Sequence, residues 1–266
     1  MKRHFGNKFK VIGMMSGTSL DGLDLAAVEF HLNNGKWDFS LFTGETVTYS
    51  EKWLNKLKNA PTLSGEQLIE LHSEYGKFIG SKVNRFIKKT GFNPDFIASH
   101  GHTIFHQPEK HFTFQAGNGA EIAASTKITT VADFRTGDVA LGGQGAPLVP
   151  IGDQHLFSEF KYCLNLGGFG NISFESEQKQ IAFDTGPANI ILNYFAEKQG
   201  FAFDKNGELG KRGKVNSELL NSLNNISFYK KNPPKSLGRE WVENTFIPIL
   251  NLAKISDDDK LRTIYE

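Results

Sequence analysis

Cysteine is almost absent: Cys163 stands alone among 266 residues. A disulfide framework is therefore excluded, and a reducing, cytoplasmic setting is the simplest expectation. There is no excess of one charge, with 30 Lys and Arg against 29 Asp and Glu. Neither a nucleic-acid partner nor a charged tail is expected; a small substrate, neutral or locally held as an anion, fits better. No stretch is long and apolar enough to span a membrane. Met1–Lys10 is basic, as the start of a signal peptide would be. The apolar run behind it, Val11–Met15, is too short and is broken by Ser16-Gly17-Thr18-Ser19, so export is not expected. The chain does have enough length for one large domain or two modest ones with a real core. Its 23 Phe residues are scattered as core residues would be.

Phe9–Met15 and Leu23–Phe30 read as strand, tight turn, strand, and Trp37–Tyr49 as a third strand. Ser64 and Gln67 form a capping-box pattern at the head of a long helix. Leu68, Leu71, His72, Tyr75, Phe78, Ile79, Val83, Phe86 and Ile87 recur at three and four, giving it one buried stripe. Pro94–Ala98 is expected to run as a strand into a loop at Ser99–His102, followed by a short helix at Gly119–Ser125 and a strand at Ile128–Phe134. The second half repeats the theme. Strands at Tyr162–Leu166, Ile172–Glu175 and Gln180–Phe183 surround a glycine turn, and a helix follows over Ala188–Gln199. This order means an α/β fold with duplicated architecture. A boundary near 130 divides it into lobes 1–130 and 131–266. Ser256–Asp259 starts a last helix, which the sequence is expected to cut short at Glu266.

Four motifs carry chemistry. Gly13–Asp24 supplies small residues, hydroxyls and successive N–H groups that can cradle phosphate oxygens, with Asp21 and Asp24 close enough to hold a hydrated Mg²⁺. An ordinary β-hairpin explains the same residues, since Asp21-Gly22 is itself a turn signal. Asp184-Thr185-Gly186-Pro187 puts a carboxylate at a strand end before a helix, where it can act as a general base. The helix start adds N–H donors for an anion. The plainer reading is that Asp184 only caps the helix. Arg135, followed by the glycines of 142–145, can bind a carboxylate or phosphate, or else belongs to a surface pair and a linker. His100 and His102 would share one strand face, a spacing metal hydrolases use. No cysteine or nearby acid supports a metal, so a polar substrate-facing loop is the better reading. Gly167–Asn171 is a second glycine turn. Ser236 is expected to start a helix, with Lys235 or Arg239 able to face a ligand.

Taken in order, Gly13–Asp24, Ser99–Pro108, Asp133–Pro150, Asn165–Ser173, Phe183–Asn189 and Lys235–Glu240 resemble the anhydro-N-acetylmuramic acid kinase family. The resemblance spans nearly the whole chain. It implies a two-lobed, duplicated, ribonuclease-H-like fold of the actin/hexokinase type, closing on ATP with Mg²⁺. It implies that ATP phosphorylates O6 of 1,6-anhydro-N-acetylmuramic acid while water opens the anhydro bond. The product, N-acetylmuramic acid 6-phosphate, is an intermediate of murein recycling. Gly17, Thr18, Ser19, Leu20, Asp21, Gly22, Leu23, Asp24 and, from the second turn, Gly168 would hold the nucleotide, with Asp21 also on the metal. Asp184 would activate the water, and Arg135 and His100 would lie near the sugar. The resemblance also implies a homodimer. His102 stands where the family usually shows Gln, and Asn118 and Asn193 stand where acids are common. Family members continue past Glu266 into an adenosine-binding segment. The competing readings are a non-catalytic, ATP-binding or regulatory member of the same superfamily and a metal-dependent hydrolase built on the histidines.

Overall fold

Glycine and aspartate break the first apolar run where a hairpin needs them. A computed structural model, which describes residues 6–17, 20–177 and 179–266, places β1 (Lys8–Ser16) and β2 (Leu23–Asn33) antiparallel on either side of that break, and β3 (Lys36–Val47) beside β2. After α1 (Glu51–Asn59) and α2 (Gly65–Thr90), β4 (Phe96–Gln107) returns parallel to β1. β5 (Phe112–Ala116) and β6 (Thr130–Ala132) both pair with β4, antiparallel and parallel respectively, with α3 (Gly119–Thr126) between them. The sheet order is β3-β2-β1-β4-β5, with β6 also on β4. α4 (Thr136–Ala140) and α5 (Val149–Leu156) complete the first of two compact units, which ends at Leu156. This unit extends beyond the expected boundary at 130 because β6 is a strand of its sheet. Ser99–His102, expected as a loop, lies inside β4, which continues into a hairpin with β5.

α2 forms as its pattern predicts. Ser64 Oγ accepts the Gln67 N–H, and Gln67 Oε1 accepts the Ser64 N–H. Gly91, with φ of 70°, ends the helix in the left-handed conformation that glycine tolerates. Leu71, Tyr75, Ile79, Val83 and Phe86 are buried against Ile12, Met14, Leu23 and Leu25 of the sheet. Burial of such side chains is worth about 1.5–3 kcal/mol each.

The second unit runs from Phe157 to Glu266. β7 (Tyr162–Leu166), β8 (Phe169–Ser176) and β9 (Lys179–Pro187) form an antiparallel sheet in that order, followed by α6 (Asn189–Lys198). The three-stranded meander followed by helices thus occurs in both units. α7 (Ser217–Asn224), α8 (Arg239–Trp241), α9 (Ile247–Leu252) and α10 (Asp257–Tyr265) follow, a π turn at Val242–Phe246 joining α8 to α9. Ile191, Phe195, Leu223, Phe246, Leu250 and Leu261 form its core. Ser256 caps α10 as its sequence predicts, accepting the Asp259 N–H at 3.1 Å.

Gly76 and Gly80 let α3 lie close on α2. A Cβ at position 76 would stand 2.6 Å from the Asn118 carbonyl oxygen and 2.9 Å from Glu121 Cβ. In an exposed helix, Gly→Ala gains up to about 1 kcal/mol. Here overpacking against backbone costs about 1–3 kcal/mol. Gly76→Ala is therefore expected to lower the free energy of unfolding in a urea titration; a gain of stability would show that α3 is not seated on this face.

Candidate functional site

The turn between β1 and β2 is fixed from beneath. The Leu20 N–H donates to the Gly17 carbonyl at 3.2 Å, with Leu20 at φ of 61°. A branched residue in this conformation is strained, and such strain collects at ligand-binding turns. The Leu20 side chain packs on the core, and Leu23 is inside it. Of these two expected nucleotide residues, only the backbone is placed to serve a ligand. At Gly22 a Cβ would meet Thr46 Cγ2 at 2.6 Å and the Val47 carbonyl at 2.9 Å. Asp21 and Asp24 are exposed, and Thr46 Oγ1 donates to Asp24 Oδ1 at 2.5 Å. Thr18 and Ser19 lie outside the described residues.

Beneath the turn, Ser16 is buried at the end of β1. Its Oγ accepts from the Tyr49 hydroxyl at 2.7 Å and lies 2.9 Å from His102 Nδ1. Tyr49 in turn bonds the Tyr75 hydroxyl. His100 and His102 do not share a face, contrary to the expectation from their spacing. The β1–β4 register slips between Met14 and Ser16, and Gly101 between the two histidines has φ of 73°. His102 therefore turns inward to Ser16, whereas His100 meets Arg135. Arg135 Nε donates to His100 Nε2 at 2.9 Å, so the ring proton belongs on Nδ1, 3.0 Å from the Gly101 carbonyl. Arg135 Nη1 donates to the Gly145 carbonyl at 2.6 Å, and the Gly145 N–H donates to Asp138 Oδ2 at 2.6 Å. Among the described residues Arg135 has no carboxylate partner, so its charge is available to a ligand. A concavity of about 710 Å³ opens on this sheet face, lined by Met15, Asp24, Thr46, Ala98 and Phe134 among others. It is lined by β1, β2 and β3 and reaches β4 at Ala98.

In the second unit, the Ala188 and Ile190 N–H groups donate to the Gly168 carbonyl at 2.9 and 3.1 Å, and the Asn189 N–H to Gly167 at 3.1 Å. The start of α6 was expected to offer its donors to an anion. They are instead satisfied by the glycine turn folded back over it. Gly168 itself remains exposed. Asp184 sits within β9, half-buried, rather than capping α6. Its N–H donates to the Lys235 carbonyl at 3.0 Å, and its Oδ2 accepts the Leu237 N–H at 2.7 Å. Burial pushes its carboxyl up from the ordinary carboxylate range, and the Leu237 N–H offsets part of that rise. Gly238, not Ser236, precedes α8, and Arg239 pairs with Glu243 at 2.9 Å. Tyr49 is a supporting residue outside the motifs, while Ser16, Asp138 and Leu237 lie within motif segments that gave them no individual role.

The chain matches the family model for anhydro-N-acetylmuramic acid kinase over residues 9–266. It is 42% identical over 239 residues to the enzyme of that name from Pasteurella multocida (strain Pm70), covering 86% of this chain and 63% of that one. The chain belongs to the anhydro-N-acetylmuramic acid kinase family. The family member from Mannheimia succiniciproducens is 41% identical over 272 residues, and that from Bacillus thuringiensis subsp. konkukian 36% over 275. Each comparison covers 96% of this chain and 72% of the relative. The chain thus spans between 63% and 72% of the length of these relatives. Among solved structures, the ethanolamine utilization protein EutJ from Carboxydothermus hydrogenoformans is 13% identical with a TM-score of 0.33, covering 78% of this chain and 62% of that one. That likeness is too slight to bear on this family's fold.

Burial, with His100 nearby, pushes the His102 imidazole down to about 4. In the unfolded chain it titrates near its ordinary value of about 6.5. The unfolded state therefore takes up the proton first as pH falls. Stability present above pH of about 6.5 is lost progressively toward about 4, at about 1.4 kcal/mol per pH unit and roughly 3 kcal/mol in all. His102→Gln, which keeps a polar group beside Ser16, is expected to flatten the pH dependence of the urea midpoint between pH of about 7 and 4.5. Some slope will remain, because burial also depresses His72, His100 and His106. An unchanged slope would show that His102 is not buried as a neutral ring.

Proposed function

We propose that the chain uses ATP to open and phosphorylate 1,6-anhydro-N-acetylmuramic acid, giving N-acetylmuramic acid 6-phosphate. The observation that carries this reading, beyond family membership, is the state of Asp184. One carboxylate oxygen is held by Leu237 and the other, Oδ1, has no protein partner among the described residues. Burial tunes the group toward a base. In the proposed step, Asp184 takes a proton from water as the water oxygen bonds the anomeric carbon. The bond from that carbon to O6 breaks, its electron pair goes to O6, and O6 takes the γ-phosphoryl group of ATP, releasing ADP. The proton on Asp184 then passes to solvent. Arg135 and His100 hold the sugar. The 17–24 turn and Gly168 hold the nucleotide, the turn through backbone N–H groups.

The donor set fits Mg²⁺. Asp21 and Asp24 are exposed oxygen donors beside the turn, and Mg²⁺ needs only one or two carboxylates when nucleotide phosphates and water complete its shell. Bound there, it would neutralise phosphate charge. This reading includes a homodimer and a cytoplasmic setting. No helix among the described residues is long and apolar enough to cross a membrane, and Cys163 is the single cysteine.

The test is ATP-dependent conversion of the anhydro sugar, followed by mass spectrometry. Asp184→Asn is expected to lose about a hundredfold or more of the rate. Because the base must be ionised, the wild-type rate should fall as pH drops through a carboxyl value above the ordinary one. Unchanged turnover in Asp184→Asn would sink the mechanism. Binding of ATP by the wild type without conversion would instead favour a non-catalytic member of the superfamily.

A further inference from the structure

Asp184 is held by a stretch of chain outside any helix or strand, which is anchored by Leu237, packed on the second unit's core, and by Lys235. β9 is an edge strand of its sheet. Residues 235 and 237 lie along that edge and make two main-chain bonds to Asp184, one through its N–H and one through Oδ2. Residues 232–237 belong to no helix or strand. Apart from these two bonds, the hydrogen bonds of this stretch among the described residues come from the Lys235 side chain. Its ammonium donates to the carbonyls of Phe228 and Tyr229 at 3.3 and 3.4 Å. It also lies over the rings of Phe228 and Phe183, 4.9 and 5.5 Å from their centroids. Each bond is long, but the faces of the two rings also attract the cation. Phe183 is the residue before Asp184 on β9, so the same side chain grips the strand and the neighbouring turn.

We propose that Lys235 is a positioning residue for Asp184, acting as a main-chain handle rather than as a counter-ion. Its ammonium faces carbonyls and rings, while its own backbone and that of Leu237 orient the carboxylate. The influences on the Asp184 carboxyl agree with this: burial and the Leu237 N–H act on it, and no charge from Lys235 does. With one oxygen fixed by Leu237, the other is left to face a water. The catalytic meaning of this arrangement rests on the functional reading above. The clamp itself can be tested without turnover.

The experiment is a pH titration by nuclear magnetic resonance of the labelled chain, following the Asp184 carboxyl carbon and the Leu237 amide. In the wild type the Leu237 amide is expected to shift with the same midpoint as the Asp184 carboxyl, because it donates to that group. Lys235→Met keeps the stem but loses the cation, and should lose this co-titration. Lys235→Arg should restore it. Lys235→Gln serves in the same role if the methionine variant does not fold. Co-titration that persists in Lys235→Met or Lys235→Gln would overturn the proposal, as would a wild-type Leu237 amide that ignores Asp184. A fully active Asp184→Asn would sink the functional reading, whereas these resonances would still decide the clamp.

Discussion

The arrangement of the first unit's site depends on one buried hydroxyl. Ser16 Oγ lies where β1 ends, Tyr49 reaches it from the chain just beyond β3, and His102 reaches it from β4. A buried hydroxyl left without partners costs about 1–3 kcal/mol. The three segments must therefore keep their relative places for Ser16 to be satisfied. Parallel pairing sets Ser16 opposite His102, which brings the 17–22 turn and the His100–Arg135 pair to the same end of the sheet. Without that register the turn is an ordinary hairpin. With it, the turn lies at the same end of the sheet as a half-buried cation that has no carboxylate partner among the described residues.

Gly101 gives two neighbouring histidines different tasks. A strand with regular alternation would send His100 and His102 to one face, where they would resemble a pair of metal ligands. The slip in register and the left-handed glycine break the alternation. At position 101 a Cβ would stand 2.4 Å from the Ala116 carbonyl, so the conformation and the close approach both require glycine. His102 becomes a structural, neutral ring, and His100 becomes an acceptor that orients Arg135. Asp138 extends the same chain of contacts. By holding the Gly145 N–H, it fixes the carbonyl that receives Arg135.

Local signals in the sequence proved easy to read. The capping box at Ser64, the stripe through Tyr75 and Ile79, the Ser256 cap and the two glycine turns each depend on residues a few positions apart, and their physics is complete within that span. Asp184 was visible for the same reason, as an acid at the end of an apolar run. Its surroundings were not. Leu237 is 53 positions away from it, and nothing in a backbone N–H marks it in a sequence. Tyr49 and Ser16 likewise read as a strand residue and a turn residue until folding brings them together. The inward turn of His102 and the occupied N–H groups of α6 are errors of one kind. Both follow from a backbone path, a bulge in one case and a folded-back turn in the other, that periodicity does not encode.

The carboxylates at the two sites differ in environment, and the difference matches the tasks proposed for them. Asp21 in the turn and Asp24 at the start of β2 are exposed, where a hydrated cation can approach. Asp184 is half-buried on a sheet edge, where desolvation favours the protonated acid. The Leu237 N–H works in the opposite direction by bonding the charged form. The proton affinity of Asp184 is therefore a balance between its burial on β9 and the Leu237 N–H that bonds its charged form. A change far from the carboxylate that moves Leu237 would alter that balance without touching Asp184.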